Sequence, residues 1–133
     1  MSLKETEAEC AAVAVAPRVS LKDIEAAIKE RYDTTASEAL FPTASGSLPK
    51  DHPLGLLSIC ILLLHNGWIV VGKSAPASAA NFNAELGRKL AYEDCIRQLW
   101  PLMGFALRER LAVGPSGQKL EREIADSVWE NPA

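Results

Sequence analysis

Two short apolar runs with a turn signal between them dominate the middle of the chain. Residues 56–65 and 68–74 are rich in Ile, Leu and Val, and an Asn-Gly dipeptide (66–67) separates them. Asn-Gly favours a two-residue type I′ turn, because both central residues of that turn need positive φ. The pattern therefore predicts a β-hairpin in which His65 pairs with Trp68.

The predicted hairpin is apolar on both faces, which is unusual for antiparallel strands with one side in water. In this register each face carries four large aliphatic residues: Ile59, Ile61, Leu63 and Val70 on one, and Leu62, Leu64, Ile69 and Val71 on the other. The second face needs another layer, from elsewhere in this chain or from a second subunit. We therefore expect a homo-oligomer, either a dimer or a higher assembly.

The N-terminal half is predicted to contain a mobile tail, one helix and a long loop. Residues 1–18 are alanine-rich and acidic, which is typical of a mobile tail. A capping box of Ser20 and Asp23 starts a helix that should run to about Tyr32. The stretch 33–53 is rich in Ser, Thr and Pro and predicts a long loop, of the kind that is usually functional or mobile.

The C-terminal half shows helical periodicity with two interruptions. Apolar residues at a period near 3.6 predict a helix over 79–99, and Pro101 predicts a break or kink before a helical stretch over 101–111. The sequence Gly-Pro-Ser-Gly at 114–117 predicts a turn, followed by a short amphipathic helix over 118–129.

A row of small residues, Gly87, Ala91 and Cys95, recurs every fourth position of the main predicted helix. Such a row allows a helix to approach a sheet or another helix closely. The sequence thus predicts one α+β domain over 19–133, in which the β-hairpin packs against three to four helices.

Composition and charge narrow the class of protein. The chain has 133 residues, of which 48% are apolar and 23% charged, with a net charge of −3; these values are typical of a single globular domain. A nucleic-acid-binding protein is also considered, but the negative net charge opposes binding to a phosphate backbone, so we rank it below the two hypotheses given at the end of this section. The longest apolar run, 54–64, is shorter than the roughly 20 residues of a membrane-spanning helix, and the acidic N-terminus lacks a secretory pattern. We expect a soluble, cytoplasmic protein.

The reactive side chains form no recognisable catalytic or metal-binding pattern. The three cysteines, Cys10, Cys60 and Cys95, include no CxxC pair, and we interpret the last two as buried apolar residues. His65 lies at the predicted turn, whereas Cys60 and Ser74 lie some 15 Å away toward the open end of the hairpin. We therefore expect a non-enzymatic protein with no catalytic residue, metal site or cofactor.

Three stretches of the chain resemble a known family. They are GWIVVGKSA (67–75), NFNAELGRKLAYE (81–93) and LWPLMGF (99–105). Their order and spacing are similar to those of a family of small tailed-phage proteins, named after the gene-forty-nine and gene-sixty-six products of two phages. The resemblance covers about residues 56–111. It implies a phage- or prophage-encoded, intracellular protein, and it carries over no activity and no functional residue.

Two sets of residues are candidate binding sites. The first hypothesis is a phage accessory protein that binds a host component, with counter-defence as one such role. Its candidate partner-binding residues lie at the hairpin tip: His65, Asn66 and Trp68. The alternative is an oligomeric sponge for a small nucleotide signal. Its candidate ligand-binding residues are Lys73, Asn81, Arg88, Arg97 and Trp100.

Overall fold

A three-stranded sheet and a long helix organise the chain. The computed structural model describes residues 2–13, 16–42 and 52–130, with side chains described up to residue 113. The elements follow in the order α1 (Leu3–Val13), α2 (Leu21–Ala27), β1 (Ile28–Thr35), α3 (Ala36–Leu40), β2 (Ser58–Leu64), β3 (Ile69–Ser74) and α4 (Ala84–Glu130). Short 3₁₀ turns precede β2 and α4. The predicted α+β class is confirmed.

The sheet is antiparallel, with β2 between β1 and β3. Side chains alternate across it, as the pleat requires. The inner face carries the buried residues of the hairpin, which are Ser58, Cys60, Leu62, Leu64, Val70 and Gly72. Helix α4 packs along this inner face and contacts both β2 and β3.

The hydrophobic core fills the space between the inner face and α4. Helix α4 contributes four fully buried residues, Ala91, Cys95, Ile96 and Leu99, while α2 contributes Ile24. A Cβ atom placed at Gly72 would collide with the carbonyl oxygen of Ala91. Gly72 and the row of small residues on α4 therefore allow the helix backbone to pack in direct contact with β3, as the spacing of that row predicts.

The first predicted helix ends earlier than expected and continues as a strand. Its start is as predicted, since the Ser20 hydroxyl accepts a hydrogen bond from the Asp23 amide (3.0 Å) and the Asp23 carboxylate accepts one from the Ser20 amide (2.9 Å). The prediction of a helix up to Tyr32 is wrong, because Ile28–Thr35 pairs with β2. A helix of that length is marginal by itself, whereas Ile, Tyr and Thr suit a strand that a neighbour can complete.

Two segments predicted to be irregular contain regular structure. Strand β1 and helix α3 occupy residues 33–40 of the predicted loop 33–53, and residues 43–51 of that loop lie outside the described residues. Within the predicted tail 1–18, residues Leu3–Val13 form α1, and none of these helical residues is buried. Arg18, which follows α1 in the chain, donates a charge-assisted hydrogen bond back to Glu7 of α1 (3.1 Å).

The hairpin turn is one residue longer than predicted. The Leu64 amide donates to the Trp68 carbonyl (2.9 Å), so the loop contains His65, Asn66 and Gly67, and the predicted pairing of His65 with Trp68 is wrong. Only Gly67 among these has positive φ (90°), and its amide donates to the Leu64 carbonyl (3.0 Å). This is the geometry of a type I turn followed by a left-handed glycine.

The longer turn shifts the register of β3 by one residue. Val70 pairs with Leu62 and joins the inner face, whereas Ile69 and Val71 join the opposite face with Leu63. A one-residue slip exchanges the two faces of a strand, so the predicted division of the apolar residues is wrong for β3. Each face of the sheet nevertheless remains apolar, as predicted.

Helix α4 is continuous over 47 residues. The predicted break at Trp100-Pro101 and the predicted turn at 114–117 are therefore wrong. Pro101 is exposed, and the carbonyl that its ring leaves without a helical partner belongs to Arg97, which is also exposed. Water can hydrate that carbonyl, so the helix continues past the proline. In the described ranges, no helix combines the length and the apolar character needed to cross a membrane.

Candidate functional site

The hairpin tip presents its side chains on a well-fixed turn. The side-chain oxygen of Asn66 accepts a hydrogen bond from the Trp68 amide (2.9 Å), and the His65 amide donates to the Ala27 carbonyl (3.0 Å). His65, Asn66 and Trp68 are all exposed, and the indole residue keeps 55% of its surface in solvent. The predicted partner-binding residues therefore lie together at one end of the molecule.

A cavity of about 500 Å³, which we call the tip groove, lies between this turn and α4. Its apolar lining comes from the strand end, the segment before α2 and the helix: Val19, Leu64, Met103 and Leu107. Its polar lining includes His65 and Asn66, together with Arg18, Asp23 and Arg110. Trp68 is not part of this lining, so the tip offers a groove and a separate exposed aromatic residue.

Two of the charged residues that line the tip groove, Arg18 and Asp23, already have hydrogen-bond partners within the chain. The hydrogen bond between Arg18 and Glu7 lowers the pKa of the Glu7 carboxyl and raises that of the guanidinium. The backbone amide of Ser20 similarly lowers the pKa of the Asp23 carboxyl. Among the side chains that the structure describes, Arg110 makes no ion pair. Within the described side chains, the Arg110 guanidinium is therefore a cation of the groove that can pair with an incoming acidic group.

The residues predicted to bind a nucleotide do not come together. Arg97 pairs with Glu93 (3.5 Å) on the exposed side of α4. The Trp100 indole donates to the Val19 carbonyl (3.3 Å) and packs against the core, while Lys73 is paired with Ile59 at the edge of the sheet. These three positions are structural or solvent-exposed and form no common pocket.

The other two predicted nucleotide ligands line different cavities. Arg88 borders an open cavity of about 450 Å³, whereas Asn81 lines a separate cavity of about 100 Å³. The larger cavity carries hydroxyl groups but also the carboxylates of Asp33 and Glu38, which repel a phosphate. Asn81 ends the 3₁₀ turn before α4, and Asn83 caps α4 by accepting a hydrogen bond from the Leu86 amide (3.0 Å).

The second face of the sheet is a surface that the sequence-based prediction located only in part. This outer face carries the residues that register places opposite the core: Glu30, Tyr32, Thr34, Ile59, Ile61, Leu63, Ile69, Val71 and Lys73. Tyr32, Ile69 and Val71 keep 56%, 61% and 53% of their surface exposed. The sequence does not reveal β1, because its two large apolar residues, Ile28 and Tyr32, are four positions apart, which is the spacing of a helix face.

The two core cysteines are confirmed as buried residues. Cys60 and Cys95 are fully buried, and the Cys95 thiol donates to the Cys60 carbonyl (3.4 Å). Burial raises the pKa of both thiols, that of Cys95 to about 12. Neither thiol is therefore available as a thiolate near neutral pH. In the described part of the chain, no three Cys, His, Asp or Glu side chains are grouped as metal ligands would be.

The fold defines a small α+β protein in which one face of a three-stranded sheet packs on a long helix. The family model described as "Phage protein (N4 Gp49/phage Sf6 gene 66) family" matches residues 19–111, more than half of the chain. The chain belongs to this family, which confirms the resemblance seen in its sequence. The match includes the sheet and the packed part of α4 and leaves out α1. No curated protein and no solved structure matches the chain.

Proposed function

We propose that this phage protein acts without catalysis, by binding a protein of the host cell through the hairpin tip and the tip groove. The observation that carries the proposal is the arrangement at the tip, where an exposed Trp68 on a hydrogen-bonded turn adjoins a groove with an apolar lining. Exposed tryptophans on rigid supports are frequent hot spots of protein interfaces, because they bury a large area at a small entropic cost.

The chemistry of the tip groove favours one kind of partner segment. Its volume is within the usual range of ligand pockets, and Met103 and Leu107 suit an apolar side chain. Arg110, in the lining, favours a carboxylate next to that side chain. We therefore propose a host protein segment in which a large apolar residue is adjacent to Asp or Glu.

The family membership supports a host partner. A phage protein that binds a host factor can redirect that factor or block a defence system, and counter-defence is the role that we favour. The buried thiols support a non-enzymatic mode of action, because a thiol with a raised pKa is a poor nucleophile. No specific contact favours the nucleotide-sponge hypothesis, since its five predicted residues lie apart.

The test is affinity capture from host lysate with the wild-type chain and two variants. Trp68→Ala and Arg110→Glu should both lose the captured host protein while keeping the wild-type melting temperature, because both side chains are exposed. The matched controls are Phe105→Ala, which removes an aromatic residue that is 68% exposed, and Arg108→Glu, which reverses an exposed charge outside the groove.

The captured protein is then purified and its affinity for each variant is measured by titration. Equal affinity for the wild-type chain, Trp68→Ala and Arg110→Glu would contradict the assignment of the binding site. Recovery of no host protein above the level of an empty resin would contradict the proposed function itself.

A further inference from the structure

We propose that two copies of this chain pack face to face through the outer face of the sheet, with Glu30 of each copy opposite the partner's Lys73. This surface is separate from the lining of the tip groove, so the proposal goes beyond the proposed function and does not depend on it. Three observations carry it: the exposure of the outer face, the blocked edge of the sheet, and the position of the two charges.

The outer face has the chemistry of a buried layer. Its centre is formed by Ile59, Ile61 and Leu63, and two large apolar residues of β3, Ile69 and Val71, are more than half exposed beside them. Helix α4 packs against the opposite face, where the residues are buried. A contiguous apolar surface of this kind marks an interaction site rather than ordinary solvated surface.

Extension of the sheet through β3 is blocked by α4. The Gln98 side-chain amide donates to the Val71 carbonyl (2.8 Å), and the Asp94 carboxylate accepts from the Lys73 amide (3.0 Å). These are backbone groups that another strand would need, and covering them is a known way of protecting an edge. The other edge strand carries the ion pair of Arg31 and Asp33 (3.0 Å), which also opposes strand addition. A second copy therefore has the face available, and not the β3 edge.

The size of the outer face is sufficient for a weak, specific dimer. Three strands spaced by about 4.8 Å and five residues at about 3.4 Å each give a face roughly 14 Å wide and 17 Å long. The face is therefore roughly 240 Å² in projection, which is the size of weak, concentration-dependent interfaces that bury less than about 1,200 Å² in total. Because buried area does not fix affinity, we expect dimerisation within a range of about 1–100 µM and leave the dissociation constant to the measurement.

The two charged residues of the outer face are placed for reciprocal pairing. Glu30 is paired with Leu63 on the β1 side and Lys73 with Ile59 on the β3 side, so the charges occupy opposite corners about 17 Å apart. A two-fold axis in the interface and perpendicular to this diagonal brings each glutamate opposite the lysine of the other copy. The strands of the two sheets then cross at roughly 70°, near the orthogonal class of sheet packing.

The simpler two-fold arrangements leave these charges without partners. An axis along the strands places Glu30 against Ile69 of the partner subunit, and an axis across the strands places Lys73 there. Either arrangement removes a charge from water without compensation, which is costly. The crossed arrangement avoids this cost and gains two ion pairs.

The first test is the mass of the full chain in solution, measured by sedimentation velocity from about 1 to about 100 µM. The mass should rise with concentration from 14.4 kDa toward twice that value. Val71→Glu should remain at 14.4 kDa throughout, because it would bury two unpaired carboxylates, and it should keep its fold because Val71 is 53% exposed. Phe105→Glu, the matched control outside the face, should dimerise like the wild type.

The second test is a charge exchange that only the crossed arrangement predicts to be reversible. Glu30→Lys and Lys73→Glu should each weaken the dimer by about tenfold, and the double variant should return within about threefold of the wild-type dissociation constant. A wild-type chain that is monomeric at about 100 µM, or a dimer unaffected by Val71→Glu, would overturn the proposal. A double variant as weak as the single ones would overturn the crossed pairing.

The same variants identify a different occupant of the outer face. A monomeric wild type whose melting temperature falls in Val71→Glu would assign the face to residues of this chain outside the described ranges. A monomeric wild type that binds a host protein, and loses it in Val71→Glu, would assign the face to that host protein. Each result overturns the dimer, and neither changes the tests made with Trp68 and Arg110.

Discussion

Replacing Gly72 by alanine adds a single methyl group at the closest contact between β3 and α4. A Cβ at this position would meet the Ala91 carbonyl oxygen, and would lie 2.8 Å from the Cys95 amide nitrogen and 2.6 Å from the Cys95 sulfur. Two of these three atoms belong to the helix backbone, so no change of side-chain conformation can clear the space. The helix as a whole has to move away from the strand.

The size of the effect follows from that movement. Ordinary contacts begin at 3.4 Å, so α4 must shift by roughly 1 Å along its contact with β3, which loosens the packing of Ile96 and Leu99 on the inner face. Overpacking of this kind costs about 1–3 kcal/mol, and a rigid backbone obstacle favours the upper end of that range. For a domain of this size, about 3 kcal/mol lowers the melting temperature by roughly 10 °C.

The assay is thermal unfolding followed by circular dichroism at one fixed protein concentration, because self-association would shift the transition. Gly55→Ala is the matched control, since a Cβ there meets no atom within 4 Å, and its unfolding free energy should stay within about 0.5 kcal/mol of wild type. A Gly72→Ala variant whose melting temperature lies within about 3 °C of the wild-type value would refute the close packing of α4 on β3.

Three further outcomes are expected. Gly104→Ala should stabilise the protein by up to about 1 kcal/mol in urea unfolding, because Gly104 lies inside α4 and a Cβ there meets no atom within 4 Å. A thiol reagent at about pH 8 should label only Cys10 in the folded chain, because it is exposed while burial raises the pKa of Cys95 to about 12; rapid labelling of all three cysteines would contradict the buried core. The hydrogen bond from the Ser20 amide lowers the pKa of Asp23 in the folded state, so its contribution is complete above the usual value of 3.8 and is lost as the pH falls through the lowered pKa. Asp23→Asn should therefore reduce the loss of stability on acidification, measured as melting temperature against pH.

The sequence predicts the hairpin because its signals are local. A turn dipeptide between two short apolar runs leaves few alternatives, and the capping box of Ser20 and Asp23 requires only neighbouring residues. The length of the turn was wrong by one residue, because an Asn-Gly pair also fits a three-residue loop with glycine in the left-handed position, as at Gly67. Local preference alone does not choose between these loops, whereas burial of Val70 against α4 does.

The candidate sites also divide into a part that local sequence predicts and a part that depends on distant segments of the chain. The hairpin tip could be predicted from sequence because His65, Asn66 and Trp68 surround one turn and remain exposed there. The tip groove could not, since Arg18 and Arg110 reach it from segments that are far apart in the chain. The five candidate nucleotide ligands lie apart within one chain, because residue types suited to phosphate do not by themselves specify the distances between them.

The family, the α+β class, the two-sided apolar character of the hairpin and the small residues that allow α4 to lie close to it can all be predicted from residue type and short-range spacing. Three features require the folded chain: that residues 28–35 form a strand, which residues of β3 face the core, and that α4 continues past Pro101. Each of these choices is nearly balanced locally, and hydrogen bonds and buried surface from distant parts of the chain settle it.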